Sequence, residues 1–131
     1  VTGVDFSPAM IDRAMNKFTD PRITLLTADM EEANFPGQFD RCVVYNAFPH
    51  FPDPERLIRH LAGQLVPGGR LTVAHGMSRA NINRHHSGSA SAVSIGLISE
   101  TTLAQIMRGE FEVDVVVSND EIYVVSGKKQ F

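Results

Sequence analysis

A short apolar segment that ends in a carboxylate and passes directly into a capped helix is the feature that most constrains this chain. Residues 1–4 predict a strand, and Asp5 stands at its carboxyl end. Ser7 is a favourable N-cap, and Pro8 suits the first helical turn, where a missing N–H costs nothing. Apolar residues then recur at helical spacing to about residue 18, which predicts a helix with one buried stripe. The stripe consists of Met10, Ile11, Ala14, Met15 and Phe18.

A second strand with the same kind of ending follows. Residues 23–26 predict a strand, and Asp29 comes shortly after it. Two strands joined by one helix form a right-handed βαβ unit with parallel strands, so Asp5 and Asp29 should lie at the same sheet edge. Ligands bind at that edge, where a carboxylate accepts hydrogen bonds from the hydroxyls of a ribose. The alternative is that Asp5 only starts the turn.

Strands and helices continue to alternate along the rest of the chain, which predicts an α/β fold. The expected elements are a strand at 41–45, a helix starting at Pro54 behind the cap Asp53 and stopped by Pro67-Gly68-Gly69, a strand at 70–75, a helix from the cap Ser99 through Arg108, and strands at 111–117 and 122–126. The last two strands predict a terminal antiparallel hairpin. Residues 76–98 carry a weak pattern and predict an irregular segment.

Composition narrows the class of protein. A chain of 131 residues with 43% hydrophobic content supports one domain, residues 1–131, with its own core. The net charge is −3 and the 12 Lys and Arg residues are scattered, which argues against a nucleic-acid partner. Cys42 is the single cysteine, so disulfides are excluded and a reducing compartment is favoured. Neither a long apolar stretch nor a secretion signal is recognisable, which predicts a cytoplasmic protein without a membrane anchor.

Three motifs together resemble a known family. They are Val4-Asp5-Phe6-Ser7-Pro8-Ala9-Met10-Ile11, Ala28-Asp29-Met30 and Leu65-Val66-Pro67-Gly68-Gly69-Arg70-Leu71, in that order. Their sequence and spacing resemble class I S-adenosylmethionine-dependent methyltransferases over nearly the whole chain. The resemblance implies a Rossmann-like, mostly parallel sheet with helices on both faces, an antiparallel last strand, and S-adenosylmethionine as cofactor.

The resemblance also implies roles for individual residues at the cofactor. Asp5 would hold the ribose hydroxyls, Asp29 the adenine amino group, and the backbone of Met30 the edge of the adenine ring. Phe6 and Asn46 complete the expected cofactor-binding set. The loop at residues 46–51 corresponds to the part of the family that lies beside the methionine moiety and the methyl acceptor.

The methyl acceptor is expected to be a small molecule. The residues expected to contact it are His50 and Phe51 in the loop, and Asn83 and His86 in the irregular segment. His50 and His75 are candidate general bases, because a neutral imidazole can remove a proton from an acceptor hydroxyl or amine. The competing interpretation of each histidine is a polar residue satisfied within a loop. The spacing of the histidines and the single cysteine argue against a metal site.

One departure from the family concerns the amino-terminal side. The family has a strand and a glycine-rich loop before the strand at residues 1–4, and these are not found here. We therefore expect an N-terminally truncated fragment that, studied alone, binds the cofactor weakly or not at all. Its sheet would close by pairing strand 1–4 with strand 41–45, borrow a strand from a second copy, or expose an edge, and we favour a homodimer.

Two other functions remain open from the sequence. A non-catalytic Rossmann-like binding or interaction module is consistent with the absence of the glycine-rich loop. A NAD-dependent oxidoreductase also uses a carboxylate at a strand end to bind ribose. The second carboxylate, Asp29, and the terminal hairpin argue against the oxidoreductase.

Overall fold

The computed structural model describes residues 1–35, 38–45, 47–48, 51–76 and 98–130, and they belong to two units, Val1–Asn34 and Phe35–Phe131. The elements of these residues are β1 (Thr2–Asp5), α1 (Pro8–Lys17), β2 (Thr24–Thr27), β3 (Phe39–Tyr45), α2 (Pro54–Gln64), β4 (Leu65–His75), α3 (Glu100–Met107), β5 (Phe111–Ser118) and β6 (Tyr123–Lys129). Every element predicted within the described residues is present. None of the described helices has the length and apolar character needed to cross a membrane.

The first unit is the predicted βαβ arrangement. Strands β1 and β2 are parallel, with Thr2 opposite Thr24 and Asp5 opposite Thr27. Helix α1 joins them and begins as its sequence predicts, because the Ser7 side chain accepts the N–H of Met10. The carboxyl ends of both strands therefore lie at one edge of this sheet.

The predicted buried stripe of α1 is wrong in part. Ile11 is buried, but Met10, Met15 and Phe18 keep about half of their surface exposed, at 51%, 51% and 49%. The sheet of this unit has two strands of four residues each. Such a sheet is narrower than the apolar face of a ten-residue helix, so only the centre of the stripe is covered.

The second unit is a four-stranded sheet in the order β3-β4-β6-β5. Strands β3 and β4 are parallel, and β6 is antiparallel to both of its neighbours, β4 and β5. The terminal hairpin is thus confirmed. Side chains of this sheet and of α2 and α3 form the core, and those at most 1% exposed are Leu57, Ile58, Leu61, Leu65, Leu71, Val73, Leu103, Ala104, Met107, Phe111, Tyr123 and Val125.

The junction of α2 and β4 differs from the prediction. The helix ends at Gln64 rather than at the glycines, and Leu65 already has extended backbone and pairs with Phe39. Pro67-Gly68-Gly69 instead forms an irregularity inside β4. Gly68 has a φ of +81°, which favours glycine, and a Cβ on Gly69 would lie 2.9 Å from the Val66 carbonyl oxygen. These glycines therefore shape the strand and do not stop the helix.

A lysine from the last strand caps the carboxyl end of α2. The Nζ of Lys129 donates to the carbonyl oxygens of Ala62, at 2.7 Å, and of Leu65, at 2.9 Å. The Ala62 carbonyl also accepts the N–H of Leu65, and a cation at this end complements the helix dipole.

We expect Lys129→Met to lower the free energy of unfolding by about 1–2 kcal/mol, because two charge-assisted hydrogen bonds are lost. Denaturant unfolding followed by circular dichroism measures the change. Lys128→Met is the matched control, since Lys128 is the exposed neighbour in the same strand. Equal stability of the two variants would contradict the capping role.

An ion pair spans three strands of the second unit. The Arg70 guanidinium donates to both carboxylate oxygens of Asp114 at 2.7 Å and to the Ser126 hydroxyl at 3.0 Å. The hydrogen bonds from Arg70 lower the pKa of Asp114 below its ordinary value of 3.8. The pKa of Asp114 is therefore lower in the folded state than in the unfolded state. As a consequence, the ion pair stabilises the fold above about pH 3.8. This contribution is lost as the pH falls through the lowered pKa.

We expect Arg70→Gln to raise the pKa of Asp114 toward its ordinary value, since the main cause of its depression is removed. A carbon-detected NMR titration of the Asp114 carboxyl group measures this directly. Arg41→Gln is the control. Arg41 lies opposite Arg70 on the neighbouring strand β3, and its guanidinium donates to the Asp40 carbonyl oxygen rather than to Asp114. A pKa of Asp114 that is unchanged by Arg70→Gln would contradict the assignment.

Direct pairing of the first strand with β3, one of the three possibilities considered for the sheet, is not found among the described strands. Within the residues described, β1 pairs only with β2, and the neighbour of β3 is β4. The chain therefore forms two hydrogen-bonded sheets rather than one, because no described strand supplies backbone partners to both β1 and β3. Self-association through such an edge remains a prediction.

Candidate functional site

Two carboxylates lie at the carboxyl edge of the first unit, as the parallel strands predict. Asp5 ends β1 opposite Thr27, which ends β2. The N–H of Ala28 donates to the Asp5 carbonyl oxygen at 2.9 Å, and Asp29 follows immediately. Both aspartates are exposed. The sequence pattern thus brings two solvent-accessible negative charges to one sheet edge.

The Asp5 carboxylate organises the turn and keeps capacity for a ligand. Its Oδ1 accepts the Ser7 N–H at 2.8 Å, which fixes the path from β1 into α1. A carboxylate has about four acceptor positions, so this bond leaves room for the two hydroxyls of a ribose. Phe6 is 78% exposed beside it and offers an apolar surface. The turn role and the ligand role of Asp5 are therefore compatible.

Asp29 is held in a similar way. Its Oδ1 accepts the Glu31 N–H at 3.0 Å, and its carbonyl oxygen accepts N–H groups from Glu32 at 3.0 Å and Ala33 at 2.9 Å. Met30 is partly buried within this turn. The turn fixes the carboxylate and the adjacent backbone, the groups that the resemblance assigns to adenine.

His75 occupies the predicted strand end but faces the interior. It is 4% exposed, and its ring makes an edge-on contact with Tyr123, with 6.1 Å between ring centroids. It shares its sheet face with Leu71 and Val73, which are both fully buried. In this conformation the imidazole is withdrawn from solvent, where an acceptor would approach.

Part of the second unit's predicted site can be located. Phe51 is partly buried, and its N–H donates to the carbonyl oxygen of Phe48 at 3.1 Å. Phe48 is 4% exposed and anchors the loop. Four further candidates, Asn46, His50, Asn83 and His86, lie outside the described residues.

Tyr45 is a candidate that the sequence interpretation missed. It is the last residue of β3 and is 61% exposed, and it directly precedes the predicted cofactor residue at position 46. The sequence signal for Tyr45 was its position at the end of a predicted strand. The apolar run that contains Tyr45 favoured a buried strand, so its exposure was not predicted.

Neither a reactive thiol nor a metal cluster marks the described part of the chain. Burial raises the pKa of the Cys42 thiol to about 11, so it stays protonated near neutral pH. No group of three or more His, Cys, Asp or Glu side chains suited to a metal ion occurs among the described residues.

Known proteins that are similar to this chain are described as methyltransferases. Residues 1–73 match the methyltransferase domain family. A malonyl-[acyl-carrier protein] O-methyltransferase from Priestia megaterium is 35% identical over 71 residues, which cover 54% of this chain and 26% of that protein. A ubiquinone biosynthesis O-methyltransferase from Coxiella burnetii is 35% identical over 74 residues, covering 54% of this chain and 32% of that protein. The chain thus spans about a third or less of the length of these two relatives.

A solved methyltransferase structure has a similar fold. The crystal structure of an S-adenosylmethionine-dependent methyltransferase from Mesorhizobium loti superposes with a TM-score of 0.79 at 19% identity, covering 98% of this chain and 80% of that one. The expected Rossmann-like fold is thereby confirmed.

Proposed function

The chain belongs to the methyltransferase domain family, and from this premise we propose that its full-length protein transfers a methyl group from S-adenosylmethionine to a small-molecule acceptor. The observation that carries the proposal is the pair of exposed aspartates at one edge of a parallel βαβ unit. We also propose that residues 1–131 act as a single methyltransferase domain. The family match favours this function over a NAD-dependent oxidoreductase.

The cofactor roles follow the residue positions. Asp5 accepts hydrogen bonds from the ribose hydroxyls, which suits its exposure and its remaining acceptor capacity. Asp29 accepts from the adenine amino group, and the Met30 backbone meets the ring edge. Phe6 covers the base with its exposed ring. Asn46 is assigned to the methionine moiety from the family resemblance alone.

The roles proposed for residues at the methyl acceptor are less specific than those at the cofactor. His50, Phe51, Asn83 and His86 are assigned to acceptor binding by the family resemblance. His50 is the preferred candidate base, because His75 is buried against Tyr123. A general base removes the proton of an acceptor hydroxyl or amine and need not be the largest contribution to the rate.

Methyl transfer places modest demands on side-chain chemistry. S-adenosylmethionine supplies, when bound, a methyl group on a sulfonium, and displacement leaves a neutral thioether that needs no proton. The residues of the chain therefore contribute by fixing the approach in line and by excluding water. Methyl transfer therefore does not require a recognisable motif of catalytic side chains.

The acceptor class is inferred from charge. The scattered basic residues and the net charge of −3 favour a small molecule over nucleic acid. The similar proteins include O-methyltransferases named for malonyl-[acyl-carrier protein] and for ubiquinone biosynthesis. A malonyl thioester and a ubiquinone precursor with a free hydroxyl are accordingly the first acceptors to test. A cytoplasmic location is part of the same proposal.

Transfer of a radiolabelled methyl group tests the proposal directly. The full-length protein is incubated with methyl-labelled S-adenosylmethionine and either malonyl-N-acetylcysteamine or a ubiquinone precursor with a free hydroxyl, and label in the extracted acceptor is counted. Labelled product is the expected result, and S-adenosylhomocysteine should inhibit its formation. Cofactor binding without transfer to any acceptor would favour the non-catalytic module, and absence of cofactor binding would contradict the proposal.

A further inference from the structure

Strand β5 is an outer strand of the four-stranded sheet in the second unit. Among the described strands it pairs only with β6, so the backbone groups along its other side face no described strand. Its eight residues, Phe111–Ser118, include four valines and neither proline nor glycine. An outer strand of this length and composition is a template on which another chain can add a strand. A feature that blocks this addition is therefore expected along β5.

A β-bulge interrupts this strand at Asp114. Val113 lies opposite Gly127 and Val115 lies opposite Ser126, so Asp114 is an extra residue without a Cα partner in β6. The extra residue shifts the alternation of side chains by one position, which puts Asp114 and Val115 on the same face of the sheet. A bulge also bends and twists its strand. The backbone on the two sides of Asp114 therefore does not form one continuous edge.

Arg70 holds the bulged residue against the sheet. Its guanidinium donates to both carboxylate oxygens of Asp114 at 2.7 Å and to the Ser126 hydroxyl at 3.0 Å. Because Arg70 lies in β4 and Ser126 in β6, the arginine reaches across β6 to the bulge. The Asp114 side chain still keeps 50% of its surface exposed. The outer strand thus carries a bulge and a charge at one residue, and both features disfavour the addition of a strand.

The valines that follow the bulge are exposed in part. Val115 is 38% exposed and Val116 is 42% exposed. Pairing of two β5 strands from two copies would bury these valines and would supply partners to both rows of backbone groups. The same pairing would withdraw the Asp114 charge of each copy from water, which costs free energy. The residues that favour self-association and the residue that opposes it are therefore neighbours in the strand.

We propose that the bulge and the charge at Asp114 keep a second copy of this chain from pairing along β5. This role is independent of the proposed methyl transfer. Asp114→Val removes the charge and the partner of Arg70, and it makes residues 113–117 one β-branched run. The average mass of this variant should rise with concentration to about twice the wild-type value or more. Sedimentation of the full-length protein over a range of concentrations measures the mass.

Two matched variants separate the strand edge from other causes. Asp114→Lys also loses the ion pair with Arg70 but keeps a charge on the outer strand, so it should retain the wild-type mass. Asp120→Val makes the same replacement at an exposed position beyond the end of β5, and it should retain the wild-type mass as well. Circular dichroism checks that each variant is folded. If Asp114→Val is unfolded, Asp114→Asn, which is uncharged and close to aspartate in volume, takes its place with the same expected association.

Every other outcome overturns the proposal. A wild-type mass for folded Asp114→Val would show that the charge at this residue blocks nothing. Association of Asp114→Lys to the same extent would assign the effect to the lost ion pair with Arg70. Association of Asp120→Val to the same extent would assign it to added apolar surface at any exposed position.

Discussion

Replacing Asp5 with alanine is expected to weaken S-adenosylmethionine binding to the full-length protein by roughly 100- to 20,000-fold. Two hydroxyl hydrogen bonds to an ionised carboxylate are lost, at about 1.5–3 kcal/mol each, and about 1.4 kcal/mol corresponds to tenfold in affinity. The carboxylate is exposed in the described structure and uses Oδ1 for the Ser7 N–H. Isothermal titration calorimetry measures the change.

Two further variants separate ligand binding from the turn. Asp12→Ala removes the same charge from an exposed position of α1 and should leave affinity within about 2-fold, because charges in solvent are screened. Asp5→Asn keeps an oxygen for the Ser7 N–H but loses the charge, so an intermediate affinity is expected. If Asp5→Ala bound the cofactor as well as Asp12→Ala, the ribose role would be wrong.

Leu71→Ala should lower the free energy of unfolding by about 2–5 kcal/mol, because deleting buried methyl groups leaves a cavity in a closely packed core. Leu71 is 0% exposed. It lies in β4, between Cys42 of β3 and Gly127 of β6. Urea unfolding followed by circular dichroism gives the midpoint and the slope.

The control for this core variant comes from the adjacent strand. Val43 lies in β3 and is 64% exposed, so Val43→Ala should change the free energy of unfolding by no more than about 0.5 kcal/mol. Similar losses in the two variants would contradict the assignment of the core to the face that packs against α2 and α3.

Helix starts were predictable because their causes are local. Ser7, Asp53 and Ser99 each accept an N–H three residues ahead, from Met10, Arg56 and Thr102 respectively. A cap needs only its own side chain and the first helical turn, so no distant segment decides the outcome. The parallel pairing that joins Asp5 and Asp29 to one edge follows equally from a chirality rule.

Features that depend on distant surfaces were harder to predict. Met10, Met15 and Phe18 have helical spacing, but their exposure depends on how much sheet lies beneath them. The end of α2 depends on pairing of Leu65 with Phe39 and on Lys129, which is far away in sequence. Periodicity reports which residues share a face and does not report what covers that face.

The burial of His75 could have been predicted from its position in the strand. It follows Val73 by two residues, and strand alternation places both on the same buried face. Its position at a strand end suggested ligand contact, whereas its register indicated the interior. Tyr45, by register, lies on the opposite face and is exposed.

An NMR titration of the full-length protein with S-adenosylhomocysteine tests the central claim most directly, because it reports the ligand and its location together. We expect saturable chemical-shift changes concentrated at the backbone amides of Phe6, Ser7, Met30 and Glu31, which flank the two carboxylates. Shifts that spare these amides, or the absence of any saturable change, would contradict cofactor binding at this edge.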